Sequence, residues 1–77
     1  MFSTVPTDPA ERIADLDEHI LHARRVQWNA SQMNRASGVF AAERILESLY
    51  VERDAIVKAH PEADAAGRLI GARRRSR

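Results

Sequence analysis

Two histidines in the first third of the chain have the spacing of a metal-binding pair. His19 and His22 are three residues apart, and Asp15 and Glu18 precede them by four residues each. In a helix these spacings put imidazoles and carboxylates on one face, where nitrogen and oxygen atoms could hold a transition metal. A metal site needs more converging ligands and supporting side chains than this segment supplies. We therefore interpret the four residues as acid–histidine pairs on a polar helix face, and we predict no metal or cofactor.

Catalytic motifs are not apparent in this sequence. The 77 residues contain no cysteine, which excludes thiol chemistry and disulfides. They also contain no nucleophile–base–orienter set and no glycine-rich phosphate loop. The sequence therefore predicts a protein that is not an enzyme and that works by binding.

Charge is distributed unevenly along the chain, although the net charge is only +1. Residues 1–20 carry five acids against one arginine, a balance of −4, whereas residues 61–77 carry five arginines against two acids, a balance of +3. This arginine cluster is typical of nucleic-acid contacts. A solubilising tail is the alternative interpretation, because the cluster has no interleaved aromatic residues and no basic helix face beside it. The candidate nucleic-acid contacts are Arg68, Arg73, Arg74, Arg75 and Arg77.

A second candidate surface consists of large apolar and aromatic residues. Trp28 and Tyr50 are of the types that dominate binding energies at protein interfaces. Trp28 also falls within an apolar helical stripe, so an interior position is the simpler expectation for it. Val26, Phe40 and Val51 point away from the stripes. Since a hairpin of two helices leaves two outer faces, these five residues predict a protein interface.

Two long amphipathic helices account for most of the chain. Residues 1–7 lack helical periodicity and are predicted to form an extended arm, because Pro6 disfavours helical geometry before it. Asp8 and Pro9 then resemble a helix start. Apolar residues at helical spacing predict helix 1 at about residues 8–35 and helix 2 at about residues 39–59, with the break at Ser37-Gly38.

Proline and glycine mark the remainder of the chain. Pro61 ends helix 2, because it lacks an N–H and restricts the residue before it. Residues 61–71 read as a short third helix that Gly67 and Gly71 weaken. Residues 72–77 are predicted to be a basic, flexible tail.

The two long helices have one economical way to hide their stripes, which is to fold back on each other. We therefore predict an all-α fold: an antiparallel, coiled-coil-like hairpin over residues 8–60, with a short C-terminal helix. If the turn lies near residue 37, the numbers of two residues that face each other across the hairpin add up to about 74. This sum puts Trp28 over Leu46 and Leu49, and it brings Asp17 to Arg53 and Arg24 to Glu52.

A single continuous helix is the alternative fold. Because glycine costs only about 1 kcal/mol inside a helix, one continuous helix could run through Ser37-Gly38 and pair with another chain.

The short length bears on function as well as on fold. A single domain of this size buries only about 60–65% of the surface that its unfolded chain exposes. Small domains usually gain additional stability from disulfides, a metal or a partner chain, and here a partner chain is the one that remains. We therefore expect a homo-oligomer that acts as a protein-interaction or assembly module, with no membrane or small-molecule partner. The alternative is a nucleic-acid-associated accessory protein. The absence of a signal peptide or apolar span predicts a cytoplasmic location, or a virion.

The composition of residues 8–60 resembles that of the short helical-hairpin proteins encoded by actinobacteria and their phages. The resemblance rests on one lysine against eleven arginines in the whole chain, and on the run Asp8-Pro9-Ala10-Glu11-Arg12-Ile13-Ala14-Asp15-Leu16. It is a resemblance of composition that transfers no functional residue. It implies a bacterial or phage origin, and either a virion component or a protein that binds a host factor.

Overall fold

The computed structural model describes residues 8–76, which form three helices and no strand. Helix α1 is Pro9–Gln32, α2 is Ala36–Ala59 and α3 is Ala63–Arg75. The all-helical prediction is confirmed for this part of the chain. The arm predicted for residues 1–7, together with Arg77, lies outside the described residues. At the start of α1, Pro9 occupies the first turn and Asp8 is extended, but the Asp8 side chain makes no capping hydrogen bond.

The turn between α1 and α2 lies at residues 33–35, earlier than the predicted Ser37-Gly38. Asn34 adopts a left-handed conformation with φ of 56°, which asparagine tolerates better than most residues. The Arg35 N–H donates to the Ala30 carbonyl at 2.8 Å and the Asn34 N–H donates to the Ser31 carbonyl at 3.2 Å. These bonds form the Schellman motif that ends many helices. Because the chain is not helical at residues 33–35, the alternative of one continuous helix through Ser37-Gly38 is excluded.

Gly38 allows close packing of α1 and α2 instead of forming the turn. It lies inside the first turns of α2, where an added Cβ would stand 3.0 Å from the Cβ of Ala30. Such a contact is tighter than most contacts between packed Cβ atoms, so one helix would have to move by a few tenths of an ångström. The glycine that looked like a break signal is therefore explained by the neighbouring helix.

Facing positions of α1 and α2 follow from the earlier turn. Gln27 contacts Glu43, and Asp17 contacts Arg53, so these facing residue numbers sum to 70. The shift of about four from the predicted sum corresponds to roughly one helical turn. Trp28 therefore does not lie over Leu46, which packs instead with Ile20 and Ala23.

Helix α3 packs mainly against α1 and barely touches α2. The two helices lie close together at Gly67, where an added Cβ would lie 2.5 Å from Cγ2 of Ile13 and 3.0 Å from the Ala10 carbonyl oxygen. Ile13 is completely buried, in a cluster that also contains Ala10 and Ala63. Gly67 was predicted to weaken this helix, but its missing side chain is what lets the helix pack here.

The third helix is longer than predicted. Residues 72–75 continue α3 as helix, whereas the sequence predicted a flexible basic tail from residue 72. Three arginines in the last turn suit the negative end of the helix dipole. Arg74 also binds Asp15 and Glu18 of α1, which fastens the end of α3. Within the part of the chain that the structure describes, no helix is both long enough and apolar enough to cross a bilayer.

Candidate functional site

The histidine–acid face of α1 is used for helix packing. Nη1 of Arg74 lies 2.6 Å from Oδ1 of Asp15 and 3.3 Å from Oε1 of Glu18. His19 and His22 remain exposed. Among residues 8–76, no group of three or more histidine, aspartate or glutamate side chains could hold a metal ion. The carboxylates that sequence analysis paired with the histidines therefore bind an arginine of α3.

Arg53 joins all three helices through two short ion pairs. Its Nε atom lies 2.7 Å from Oδ1 of Asp17 on α1, and its Nη2 atom lies 2.7 Å from Oδ1 of Asp64 on α3. The Asp17–Arg53 pair was predicted from helix spacing, but the third partner was not. The predicted Arg24–Glu52 pair is wrong, because Glu52 pairs with Arg12 at 3.2 Å.

These contacts shift the pKa values of their members in the directions expected for ion pairs. The hydrogen bond that Arg53 donates to Asp17 is the main factor raising the pKa of Arg53, and burial opposes it. The hydrogen bond from Arg53 is the main factor lowering the pKa of Asp64. Likewise, the hydrogen bond to Asp15 is the main factor raising the pKa of Arg74. All three shifts favour the charged forms that hold α3 against the rest of the molecule.

The Asp64 contact predicts a loss of stability in acid. Because its folded pKa lies below the ordinary value of 3.8, Asp64 stabilises the fold fully above that pH. This contribution disappears as the pH falls from 3.8 through the folded pKa. We expect the acid-induced drop in the Tm of the wild type, followed by circular dichroism, to be smaller in Asp64→Asn. An equally steep drop in both proteins would contradict the assignment.

The C-terminal arginines do not act as one cluster. Arg68 and Arg75 line a cleft of about 710 Å³ with Arg24 and Arg25, whereas Arg74 is bound to α1. We call this space the arginine cleft; it is also lined by Asp17, Leu21, Tyr50 and Arg53. Sequence analysis missed Arg24 and Arg25, because only the packing of α3 on α1 brings them to Arg68 and Arg75.

A second depression, which we call the apolar groove, lies on the opposite side of the α1–α2 seam. It encloses about 410 Å³ and is lined by Ala23, Val26, Gly38, Ala41, Ile45 and Leu49. His19 and His22 also line it. Its alanines and Gly38 are small, and Val26 and Ile45 supply larger apolar surface beside them.

All five predicted interface residues are exposed. Trp28 and Phe40 are each 63% exposed and Val51 is 66% exposed, with Val26 and Tyr50 at 43%. The interior position expected for Trp28 is therefore wrong, because the earlier turn moves Leu46 away from it. The structure adds large exposed apolar side chains that sequence analysis had assigned to a stripe or passed over. They are Leu21, Met33, Ile45 and Leu69.

Comparisons with known proteins supply no relative for this arrangement. The chain matches no protein-family model, no curated protein and no solved structure.

Proposed function

We propose that this protein is a non-enzymatic protein-interaction and assembly module, and that its main partner is a second copy of the same chain. One observation carries the proposal. Of nine large apolar side chains exposed within residues 8–76, eight lie between residues 21 and 51. We call this segment the turn half. Apolar surface concentrated in one part of a small protein is typical of an interaction site.

The interior of the turn half explains why it would need a partner. Its buried side chains are Ala23, Ala30, Ala42 and Leu46, three of them alanines. Helix α3 packs against the other half of α1, near Ala10, Ile13, Asp15 and Glu18, and it meets the turn half at the arginine cleft through Arg68 and Arg75. Two thinly packed helices alone bury little apolar surface, and a partner chain is the usual remedy in scaffolds of this size.

The apolar groove is where we place the contact. The proposal takes α1 and α2 as an antiparallel, coiled-coil-like hairpin, supported by the Gln27–Glu43 and Asp17–Arg53 contacts. Two such hairpins that face each other across a two-fold axis would form a four-helix bundle around Val26 and Ile45. The same surface patch then serves both partners, so no second complementary surface is needed.

The remaining exposed side chains would extend this surface. Phe40 and Val51 are eleven residues apart, or about three helical turns, and so share the outer face of α2. They would support assembly beyond a dimer. Trp28 and Tyr50 belong to the side of the arginine cleft. A cytoplasmic or virion location, and a phage origin, are parts of the same proposal.

A charge in the apolar groove tests the assembly proposal. We expect the wild type to sediment with twice the 8.7 kDa mass of one chain, whereas Ile45→Glu weakens self-association at least ~10-fold, because an unpaired charge would be buried. Ile45 is half-exposed in the single chain, so the variant should keep its helical circular dichroism.

Leu69→Glu is the matched control, because Leu69 is similarly exposed but lies on α3, outside the turn half. It should associate like the wild type. A wild type that stays monomeric up to about 1 mM, where even a weak dimer would be visible, would refute self-association. Equal loss in both variants would point to a contact elsewhere.

A nucleic-acid-associated accessory protein is the second candidate function. The observation that favours it is the arginine cleft, where Arg68 and Arg75 are joined by Arg24 and Arg25 of α1. Sequence analysis counted the lack of a basic helix face against nucleic-acid binding. The packing of α3 brings such a face next to the C-terminal arginines.

A further inference from the structure

The arginine cleft concentrates positive charge from all three helices. Five arginines line it: two from α1, Arg53 from α2 and two from α3. Asp17 is its one acidic lining residue, which leaves a balance of +4. Adding Asp64, which pairs with both Arg53 and Arg68, still leaves +3. A concave surface lined by one sign of charge attracts ligands of the opposite sign.

Most of this charge is available to a ligand. Arg53 is held by two carboxylates and serves the fold, and Arg68 shares Asp64 at 3.2 Å while its side chain stays 70% exposed. Arg24, Arg25 and Arg75 form no salt bridge with any residue from 8 to 76. Guanidinium groups bind phosphate oxygens in bidentate fashion, so four of them suit a phosphate-rich ligand.

Aromatic and apolar side chains lie among these arginines. Tyr50 and Leu21 line the cleft and are each nearly half exposed. Trp28 follows Arg24 by four residues on α1, which places its exposed ring one turn further along the same face. An acidic peptide would be attracted by the arginines alone and would make no particular use of the exposed rings. Exposed rings beside arginines fit unpaired bases, because every base can stack on an aromatic face.

We propose that the arginine cleft binds single-stranded nucleic acid. Arg24, Arg25, Arg68 and Arg75 contact the phosphates, and a base stacks on Tyr50. This proposal rests on the second candidate function and changes its site, from a flexible C-terminal tail to a cleft made by three helices. A duplex fits it poorly, because its bases are stacked on each other and their faces are not accessible.

Fluorescence anisotropy with a labelled oligothymidylate of about 12 nucleotides tests the proposal on the full chain. With four phosphate contacts, the logarithm of the binding constant should fall with the logarithm of salt concentration at a slope of about −3. Replacing both helix arginines, Arg24→Gln and Arg25→Gln, should reduce the magnitude of the slope by about 1.4. Arg44→Gln, on α2 outside the cleft, should leave it unchanged.

Tyr50 separates stacking from simple charge attraction. Tyr50→Ala should weaken binding about 5- to 150-fold with an unchanged salt slope, whereas Tyr50→Phe keeps the ring and should retain most of the affinity. Equal affinity for a duplex or for polyglutamate, or no effect of Tyr50→Ala, would overturn the proposal. Circular dichroism of each variant shows that the helices are intact.

The variants also distinguish binding in the arginine cleft from binding by the C-terminal arginines alone. If Arg73→Gln abolishes binding while the Arg24→Gln, Arg25→Gln double variant binds normally, the cleft is refuted and nucleic-acid binding by the C-terminal arginines stands. If no single-stranded oligonucleotide binds even at low salt, both the cleft proposal and the nucleic-acid-associated function are refuted. Loss of binding in the double variant, with Arg73→Gln near wild type, supports the cleft.

Discussion

Gly67→Ala is expected to lower the free energy of unfolding by about 2 kcal/mol, although alanine usually stabilises helices. The new methyl group would lie 2.5 Å from Cγ2 of Ile13 and 2.7 Å from its Cβ. Ile13 is fully buried and the Ala10 carbonyl is backbone, so neither can move aside easily. Helix α3 must then shift away from α1. Urea unfolding followed by circular dichroism measures the loss.

Gly71→Ala provides the matched control on the same helix. An added Cβ there meets only the guanidinium of Arg75 at 3.3 Å, which is the end of a flexible side chain. The usual helix preference should then dominate, with a gain of about 0.5–1 kcal/mol. If both alanine variants were equally stable, the close packing of α3 on α1 would be wrong.

A compensating change at Ile13 extends this test. Ile13→Ala alone should cost about 3 kcal/mol, because it leaves a cavity in the fully buried cluster. In the double variant with Gly67→Ala, the new methyl group no longer meets Cγ2 of Ile13, although the Cβ at 2.7 Å remains. The double variant should therefore lose less stability than the two single variants together, and this coupling is expected only for residues in contact.

Arg53→Met is expected to cost about 2 kcal/mol, between the values typical of exposed and buried ion pairs. The substitution keeps most of the aliphatic stem but leaves Asp17 and Asp64 without the partner that holds each of them at 2.7 Å. The carboxylates of Asp17 and Asp64 are partly exposed, so water replaces the arginine in part and the cost stays below that of a fully buried pair. Chemical denaturation at neutral pH measures the effect.

The pH dependence of the stability of Arg53→Met shows whether lost ion pairs or lost packing destabilise it. Because the pKa of Asp64 is lowered mainly by its bond to Arg53, protonation of Asp64 as the pH falls from 3.8 through its folded pKa removes the Arg53–Asp64 interaction in the wild type as well. The stability difference between wild type and Arg53→Met should therefore narrow in acid. Arg74→Met, whose ion pairs are more exposed, should cost clearly less at neutral pH. A difference that stays constant with pH would assign the effect to packing.

Local sequence patterns determined the elements of this protein, because helix periodicity and proline act over a few residues. The two stripes and Pro61 predicted an all-helical chain with a short third helix, and the order of elements agrees with that. Spacing also predicted the Asp17–Arg53 contact. This prediction was confirmed although the turn was predicted too late in the chain. The arginine side chain is long enough to span the difference of about one helical turn between the predicted and observed registers.

Tertiary packing decided what the glycines and arginines do. A glycine can mark a turn or a close contact, and only the position of Ala30 shows that Gly38 is the second kind. The turn uses Asn34 instead, so Trp28 is exposed rather than buried. Likewise, Arg24 and Arg75 are far apart in sequence. They line one cleft because Gly67 lets α3 lie close against α1, a long-range contact that no local pattern encodes.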